Sequence, residues 1–491
     1  MTIIDDKPST LNQQYSASKA LDSEQEAELR RKVLRKTDLH VLPWLCALFF
    51  LQYLDKQILS YGAIFGLRED LHFKGQDFST ATTLFYVGQL VFEWPAMWAV
   101  HRFSVVKFTA ISCVAWGGVL MTAAGAHNFA GIAAQRFFLG AAEAVVSPAF
   151  VLLTSFWYKQ EEHALRTSIW TSMNLLAQIL GALLTYGLGS AGSSASIAPW
   201  RLLFLVCGGL TIVVGVAFFF FFPTSPTEAR FFSELEKEVA IKRLTEKATT
   251  QEHSQLDRSQ IIDTLRDVKY WSIFALALGA CVPSFVITFQ SILIKEMGYT
   301  NFEAILWGLP APAIQLGVLW LSVLFIALLP NARCLTGMAI MVVPLTGNII
   351  NLILPVTKQH RRARLVATWL ASVLTPVMNI TLSLVASNFL GHTRKTLTSF
   401  TYFIGYCVGL IVGPQFWLSK QAPQYRLGLI MDIIFLGIGI LGFFTLFVAF
   451  RSQNKRRDRM ASEGHEEYEP RSNAIEVNSS DNAVLGFRYA Y

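Results

Sequence analysis

Five ionisable residues lie inside long apolar runs in the first half of the chain: Asp55, Lys56, Glu93, Arg136 and Glu143. A charge at the centre of a bilayer costs on the order of 3 kcal/mol, so such residues are kept where they face one another or a water-filled cavity. Three acids stand against two bases, and protonation of one carboxylate would make the group neutral. These residue types could therefore couple the movement of a proton to the binding of an anion.

Helical spacing indicates which of these residues can meet. Arg136 and Glu143 are seven positions apart, so they share one face of a helix. Asp55 and Lys56 are adjacent, about 100° apart around the axis, and therefore pair poorly with each other. They are better placed to meet the helix of Arg136 or an incoming solute. The alternative is a static buried network that holds the helices together; we favour it for Glu93 and a functional role for the other four.

The elements that position these residues follow from the composition. The chain has 491 residues, of which 53% are hydrophobic and 15% are charged, whereas about a quarter are charged in soluble domains. The mean hydropathy is +0.42. About 20 apolar residues cross a bilayer as a helix. The composition therefore predicts an all-α membrane protein that crosses the bilayer many times.

Apolar runs of suitable length predict twelve transmembrane helices, numbered here as spans 1 to 12. They cover residues 39–66, 81–101, 104–126, 129–156, 167–190, 199–222, 271–295, 303–329, 333–356, 365–390, 397–418 and 427–450. Two six-helix halves, 39–222 and 271–450, flank a polar central loop, 223–270, with an amphipathic surface helix predicted from Glu228 to Lys247. Residues 1–38 form the predicted N-terminal tail, and residues 451–491 form a tail that we expect to be disordered.

Lys and Arg residues predict the orientation of the spans. With the N-terminal tail in the cytoplasm, cytoplasmic segments hold about three times as many Lys and Arg residues as outer loops, which predicts that both termini are cytoplasmic. The basic stretch 358–364 is the exception. It is either a vestibule that attracts anions or ordinary loop charge, and we favour the second.

Several other classes of protein are excluded by motifs that the sequence lacks. The six cysteines lie in or beside apolar runs without a CxxC pair, so neither a disulfide framework nor a zinc site is expected. There is no phosphate-binding GxxxxGK[ST] loop and no HExxH motif. The basic residues follow span ends and form no stripe for nucleic acid. We therefore expect neither an enzyme nor a cofactor.

Weak internal repetition supports two related halves. Residues 163–167 (HALRT) and 392–396 (HTRKT) each lead into an apolar helix that contains glycines. Paired six-span halves are typical of transporters that alternate access by rocking. No comparable mid-span charge is expected in the second half. We predict that polar residues bind the substrate there and in span 5; these are Asn174, Gln178, Gln290, Asn379, Tyr402 and Tyr406.

Motifs spread along residues 38–450 resemble one known family. They include YLDKQ (53–57), FEWP (92–95), RFFLGAAEA (136–144) and GPQ (413–415). The sequence resembles the major facilitator superfamily, within it the anion:cation symporter family, and most of all the fungal allantoate permease group. Two departures are Ala96-Met97, where Ser-Asn is common, and Leu410, where the allantoate group often has Asn. The second could change the substrate.

The resemblance implies roles for individual residues. Proton coupling would fall to Asp55 and Glu143, and recognition of a substrate carboxylate to Lys56 and Arg136. Structural or gating roles would fall to residues of the remaining motifs, namely Glu93, Pro95, Arg102, Arg166, Arg394, Lys395 and Pro414.

The leading hypothesis is a proton-coupled importer of a small organic anion, such as a ureide (allantoate or ureidosuccinate), a carboxylate or a vitamin acid. The alternatives are a proton-antiport exporter of a fungal metabolite and a nutrient receptor that has lost transport. Span 5 lacks a GPxxGG motif, which argues against antiport. We expect a monomer in the plasma membrane, with the vacuolar or another internal membrane as the alternative.

Overall fold

The computed structural model describes residues 23–192, 197–245, 258–329, 331–390, 392–463 and 488–491. These residues form α-helices and short 3-10 helices, with no strand among them. The helices up to the central loop are α1 (Ser23–His40), α2 (Leu42–Ile64), α3 (Leu67–Asp70), α4 (Asp77–Arg102), α5 (Val105–Thr122), α6 (Phe129–Glu143), α7 (Val146–Trp157), α8 (Gln160–Gly192) and α9 (Pro199–Phe221).

The second half follows two helices of the central loop. These two are α10 (Glu234–Thr245) and α11 (Arg258–Arg266). The helices after them are α12 (Val268–Cys281), α13 (Phe285–Glu296), α14 (Asn301–Leu306), α15 (Pro310–Leu328), α16 (Arg333–Ile353), α17 (Arg361–Ala371), α18 (Thr375–Asn388), α19 (His392–Val412) and α20 (Arg426–Ser462).

Ten helical segments of the described chain are long and apolar enough to cross a membrane, and they correspond to predicted spans 1, 3 and 5 to 12. Spans 2 and 4 are not among them. Span 2 is α4, which carries Asp77, Glu93 and Arg102 and is therefore less apolar. Span 4 is divided by a turn at Ala144 and Val145 into α6 and α7, of 15 and 12 residues. The prediction of twelve spans thus stays a prediction.

Each half packs through its own set of helix pairs. In the first half, α4 packs on α6, α5 on α9, and α2 on α8. In the second half, α20 packs on α12 and α16, and α19 packs on α12. The halves meet through α2 with α13, α4 with α19, and α8 with α15. Helices α2 and α4, which carry Asp55, Lys56 and Glu93, therefore lie beside the second half of the chain.

Hydrogen bonds between the halves cluster at one end of the bundle, where α2 ends and α4 begins; we call it the far end. Ser60 Oγ donates to the Thr288 carbonyl at 2.6 Å, and Thr83 Oγ1 donates to the Ile411 carbonyl at 3.0 Å. Gln415 Nε2 donates to Thr83 Oγ1 at 2.8 Å. These contacts tie the two halves together at the far end.

The opposite end, the near end, carries α1 and α10. Lys36 Nζ on α1 lies 2.6 Å from Glu236 Oε2 on α10, and Arg243 Nη2 lies 2.9 Å from Glu162 Oε2 at the start of α8. The predicted surface helix 228–247 begins later than expected, at Glu234, because the Ser233 side chain caps it. Lys247, its predicted last residue, lies outside the described residues.

The segment after span 12 differs from the prediction of a disordered tail. Helix α20 continues past residue 450 to Ser462. Its last part, beyond the apolar residues, consists mainly of polar and basic residues. Residues 488–491 pack against the near end of the second half, where Tyr489 is buried. The rest of this stretch, 464–487, lies outside the described residues.

Candidate functional site

The central contact of the site joins α2 to α6. Lys56 Nζ lies 3.5 Å from Glu143 Oε2. The Glu143 side chain has no exposed surface, whereas the Lys56 side chain keeps 14% of its own. Lys56 also lies 5.4 Å from the centre of the Phe85 ring on α4. The pair is therefore fully buried on its acidic side and keeps a small exposed surface on its basic side.

Asp55 points away from this pair and is held by two other helices. Its Oδ2 accepts a hydrogen bond from Trp116 Nε1 of α5 at 2.9 Å and one from Thr211 Oγ1 of α9 at 3.1 Å. Its Oδ1 has no hydrogen-bond partner among the described residues. Sequence analysis missed Trp116 and Thr211. The only available signal was that a buried Trp N–H needs an acceptor.

Arg136 lies next to both acids. Its side chain is 2% exposed, and it is close enough to Glu143 and Asp55 to interact with them electrostatically. Its Nε and Nη2 atoms have no hydrogen-bond partner in the described part of the chain. We call Asp55, Lys56, Arg136 and Glu143 the charge cluster. Two acids and two bases give it a net charge of zero when all four are ionised.

Two glycines bring α4 and α6 close enough to build the cluster. A Cβ atom at Gly140 would overlap the Phe85 carbonyl oxygen, and one at Gly88 would overlap the Phe137 carbonyl oxygen. The backbones of the two helices are thus in direct contact. This packing places Phe85 against Lys56 and leaves no room for a larger residue at either glycine.

Glu93 lies apart from the ion pair, beside the second half. It is buried, and within the described residues it forms no ion pair. Both Glu93 and Lys56 are near enough to Cys407 of α19 to interact with it. On the same face of α4, Tyr86 is an electrostatic neighbour of Glu143. Tyr86 was not predicted as a site residue.

The predicted substrate residues of span 5 lie on α8, one turn apart. Gln178 is buried, its Nε2 lies 3.4 Å from the Tyr53 hydroxyl, and its carbonyl accepts from Tyr61 at 3.0 Å. Asn174 is half-buried, and its Oδ1 has no hydrogen-bond partner among the described residues. Asn174 thus keeps an unused acceptor, whereas Gln178 joins α8 to α2.

In the second half, the predicted residues divide between packing and the interface. Gln290 Nε2 donates to the Gly308 carbonyl at 3.1 Å, so it joins α13 to the start of α15. Asn379 Nδ2 donates to Thr171 Oγ1 at 3.2 Å and thereby bridges the halves. Tyr402 is buried on α19, and Tyr406, one turn later, is an electrostatic neighbour of Tyr86.

The predicted gating arginines form equivalent ion pairs in the two halves. Arg166, near the start of α8, makes two hydrogen bonds to Asp38 at 2.7 and 3.2 Å. Arg394, near the start of α19, pairs with Asp267, which precedes α12. In each half, an Asp just before the helix of the first span (α2 or α12) binds an Arg near the start of the helix of the fifth span (α8 or α19). This symmetry agrees with the repeat between 163–167 and 392–396.

The other predicted gating residues have less defined contacts. Pro95 lies inside α4, and Pro414 is buried in the 3-10 turn that follows α19. Arg102, the last residue of α4, is exposed, and Lys395 is half-buried. They mark helix ends and bends and lie outside the charge cluster.

The basic stretch 358–364 is partly used in packing. Arg364 is buried, and its Nη1 donates to the carbonyls of Asn351 and Leu354 at 3.1 and 2.5 Å. The Arg361 guanidinium lies 3.1 Å from the centre of the Tyr299 ring. These contacts favour the interpretation of ordinary structural charge.

One buried acid of the second half was missed. Asp432 in α20 is 1% exposed, and its Oδ2 has no hydrogen-bond partner among the described residues. The residue is the sixth of predicted span 12, so it lies near the end of that span and does not contradict the expectation of no mid-span charge in the second half.

The fold, the apolar helices and the buried charges define a multi-pass integral membrane protein. The sequence model of the Major Facilitator Superfamily matches residues 45–462, so the chain belongs to this family of transporters and is not an enzyme. An uncharacterized transporter of Schizosaccharomyces pombe is 34% identical over 467 residues, covering 94% of this chain and 90% of the relative. The allantoate permease of Saccharomyces cerevisiae is 32% identical over 458 residues, with coverages of 91% and 84%.

A solved structure is also similar. The inward-facing, occupied crystal structure of a bacterial homolog of the human lysosomal transporter Spinster superposes with a TM-score of 0.61 at 16% identity. The match covers 82% of this chain and 96% of that one. At this identity the likeness shows the fold alone.

Proposed function

We propose that this chain carries a small organic anion across the membrane together with a proton, by alternating access. The observation that supports it most is the buried Arg136 guanidinium with two unpartnered nitrogens, beside an acid and base that a proton can separate. Carboxylates fill guanidinium donors through paired, charge-assisted hydrogen bonds. A substrate carboxylate would accept hydrogen bonds from the Arg136 nitrogens that the protein leaves without a partner.

Coupling follows from competition for one ammonium group. Lys56 is paired with Glu143, so the carboxylate of Glu143 and that of the anion would compete for Lys56. Protonation of Glu143 removes its charge and releases Lys56. One anion adds one negative charge to the neutral cluster, and one proton restores neutrality. The site that holds both the anion and the proton is then neutral, so it would cross the membrane at the lowest electrostatic cost.

The substrate class that we propose is a small carboxylate or ureide. The similarity to an allantoate permease supports a ureide, and Arg136 with Lys56 supplies two cations for an anionic end. Asn174, Asn379, Tyr402 and Tyr406 would hydrogen-bond the rest of the molecule. Leu410 is buried on α19, so it would give this part of the cavity an apolar wall.

The proposed orientation places the near end in the cytoplasm. The bias of Lys and Arg supports it, and the same counting supports twelve spans, with α4 and with α6 and α7 together crossing the membrane. Contacts between the halves at the far end would then close the outer side in this conformation. We propose the plasma membrane as the location and a monomer as the working unit.

Proteoliposomes that hold the purified protein and a trapped pH dye test this proposal. Small organic anions, including allantoate and ureidosuccinate, are added outside. Acidification of the interior with one class of anion is the expected result. Alkalinisation would indicate antiport and reject symport. No pH change with any anion, from protein that stays monodisperse, would reject proton-coupled import of this class.

A further inference from the structure

Residues 488–491 occupy a groove at the near end of the second half. The groove is formed by the starts of α12 and α16, the end of α18, and the polar part of α20. Tyr489 is 1% exposed within it, and the amide of Arg333 donates to the Tyr491 carbonyl at 3.2 Å. The segment thus contacts four helices that are far apart in the sequence.

Two asparagines bind the main chain of this segment. Asn454 Nδ2 donates to the Tyr489 carbonyl at 2.9 Å, and its Oδ1 accepts from the Tyr489 amide at 3.0 Å. Asn388 makes the same two bonds with Ala490, at 2.8 and 2.7 Å. Each asparagine therefore satisfies both polar main-chain atoms of one residue. Such bonds do not depend on the side chain, so they recognise an extended peptide as such.

One pocket of the groove holds the Tyr489 side chain by its ring and by its hydroxyl. Lys269 Nζ donates to the Tyr489 hydroxyl at 2.8 Å, and the Tyr489 ring stacks on Phe450 with centroids 4.9 Å apart. The Arg457 guanidinium lies 4.7 Å from the ring centre. Lys269 is 1% exposed, and a buried ammonium needs partners. The tyrosine hydroxyl supplies one of them, beside Asp267 at 3.4 Å.

We propose that this groove is a peptide-binding site and that its ligand is the chain's own segment Arg488–Tyr491. The bound segment acts as a strap that holds the near ends of α12, α16, α18 and α20 together. Helix α18 also carries Asn379, which bridges to the first half. A strap at its near end therefore acts on a helix of the proposed transport site, although the groove itself does not depend on that proposal.

Binding in trans tests the groove. Tyr489→Ala in the full chain empties the tyrosine pocket and weakens docking of the chain's own segment, so that an added peptide can displace it; the probe is a fluorescein-labelled peptide Gly-Phe-Arg-Tyr-Ala-Tyr with an amidated end. We expect saturable binding to this variant by fluorescence anisotropy. Wild-type protein should bind at least about tenfold more weakly, because its own segment competes at high effective concentration. Absence of binding to the monodisperse variant, or equal affinity for both proteins, would overturn the proposal.

Two controls separate recognition from adhesion to detergent. The peptide Gly-Phe-Arg-Ala-Ala-Tyr lacks the phenol and should bind at least about tenfold more weakly. Adding Asn388→Ala to the Tyr489→Ala chain should weaken binding of the tyrosine peptide to a similar extent. Equal binding of both peptides, or an unchanged affinity with Asn388→Ala, would contradict a specific groove.

A double-mutant cycle in the full chain tests the contact in cis. Lys269→Met and Tyr489→Phe are made singly and together, and the thermal unfolding midpoint is measured in detergent. If the ammonium and the hydroxyl interact, the two shifts will not add. Additive shifts would contradict docking of the segment as described. This test leaves the transport site intact, so its outcome is independent of the substrate.

Discussion

Replacing Glu143 by glutamine isolates the competition for Lys56. The amide keeps the size of the side chain and removes its charge, so the variant imitates the protonated acid. Lys56 is then free to bind a carboxylate at any pH. We expect the variant to bind the anion more tightly than wild type at neutral pH and to lose proton-driven uptake.

The size of the effect follows from the distance between the two atoms. Lys56 Nζ and Glu143 Oε2 are 3.5 Å apart, which corresponds to an attraction of roughly 5 kcal/mol at an effective dielectric constant of about 20. Dehydration of the incoming anion offsets much of this gain. If about 1.4 kcal/mol of it remains, the affinity rises about tenfold. We therefore expect an affinity change of about tenfold.

The assay is equilibrium binding of the anion to purified protein as a function of pH. Wild type should bind more tightly as the pH falls, since protonation of Glu143 releases Lys56, whereas Glu143→Gln should show a flat profile. Glu93→Gln is the matched control, because Glu93 is also a buried acid of the first half but forms no ion pair among the described residues. Parallel profiles for wild type and Glu143→Gln would refute the reasoning.

Four further substitutions test other parts of the structure. Arg136→Ala should abolish anion binding, and wild-type affinity would show that Arg136 is structural. Trp116→Phe removes one donor to a buried carboxylate and should destabilise the fold by about 1–3 kcal/mol, measured by thermal unfolding, with anion affinity unchanged. Gly140→Ala should reduce the monodisperse fraction in size-exclusion chromatography, because its methyl group would overlap a backbone carbonyl of α4. Burial raises the pKa of the Glu236 carboxyl, but hydrogen bonds, first from Lys36, outweigh burial and hold this pKa below its ordinary value of 4.5. The contact between Lys36 and Glu236 therefore stabilises the protein above that pH, and it is lost as the pH falls through the lowered pKa. Glu236→Gln should make α10 protease-sensitive already at neutral pH.

Composition and hydropathy were sufficient for the helical fold and for most of its spans. The length of an apolar run reflects the thickness of the bilayer, so spans 1, 3 and 5 to 12 could be predicted from the sequence. Span 2 carries Glu93 among other polar residues, and span 4 is divided by a turn, and these features weaken the same signal.

The partners within the site could not be predicted from spacing alone. Spacing shows that Asp55 and Lys56 face different directions, but not which helix lies in each direction. That depends on how α2 is rotated about its axis, which its packing against α8, α9 and α13 decides. The two residues that donate to Asp55, Trp116 and Thr211, were therefore not predicted, although each is an ordinary polar residue in an apolar run.

The position of the ion pair constrains how transport can work. Lys56 on α2 and Glu143 on α6 belong to the same half, so rocking of one half against the other leaves their distance unchanged. In the proposed mechanism a proton or an anion would therefore open the pair, and the motion itself would not. The signal to the second half would then pass through groups at the interface. Tyr86, a neighbour of both Glu143 and Tyr406, is placed to carry it, because its hydroxyl can respond to the charge on one side and to α19 on the other.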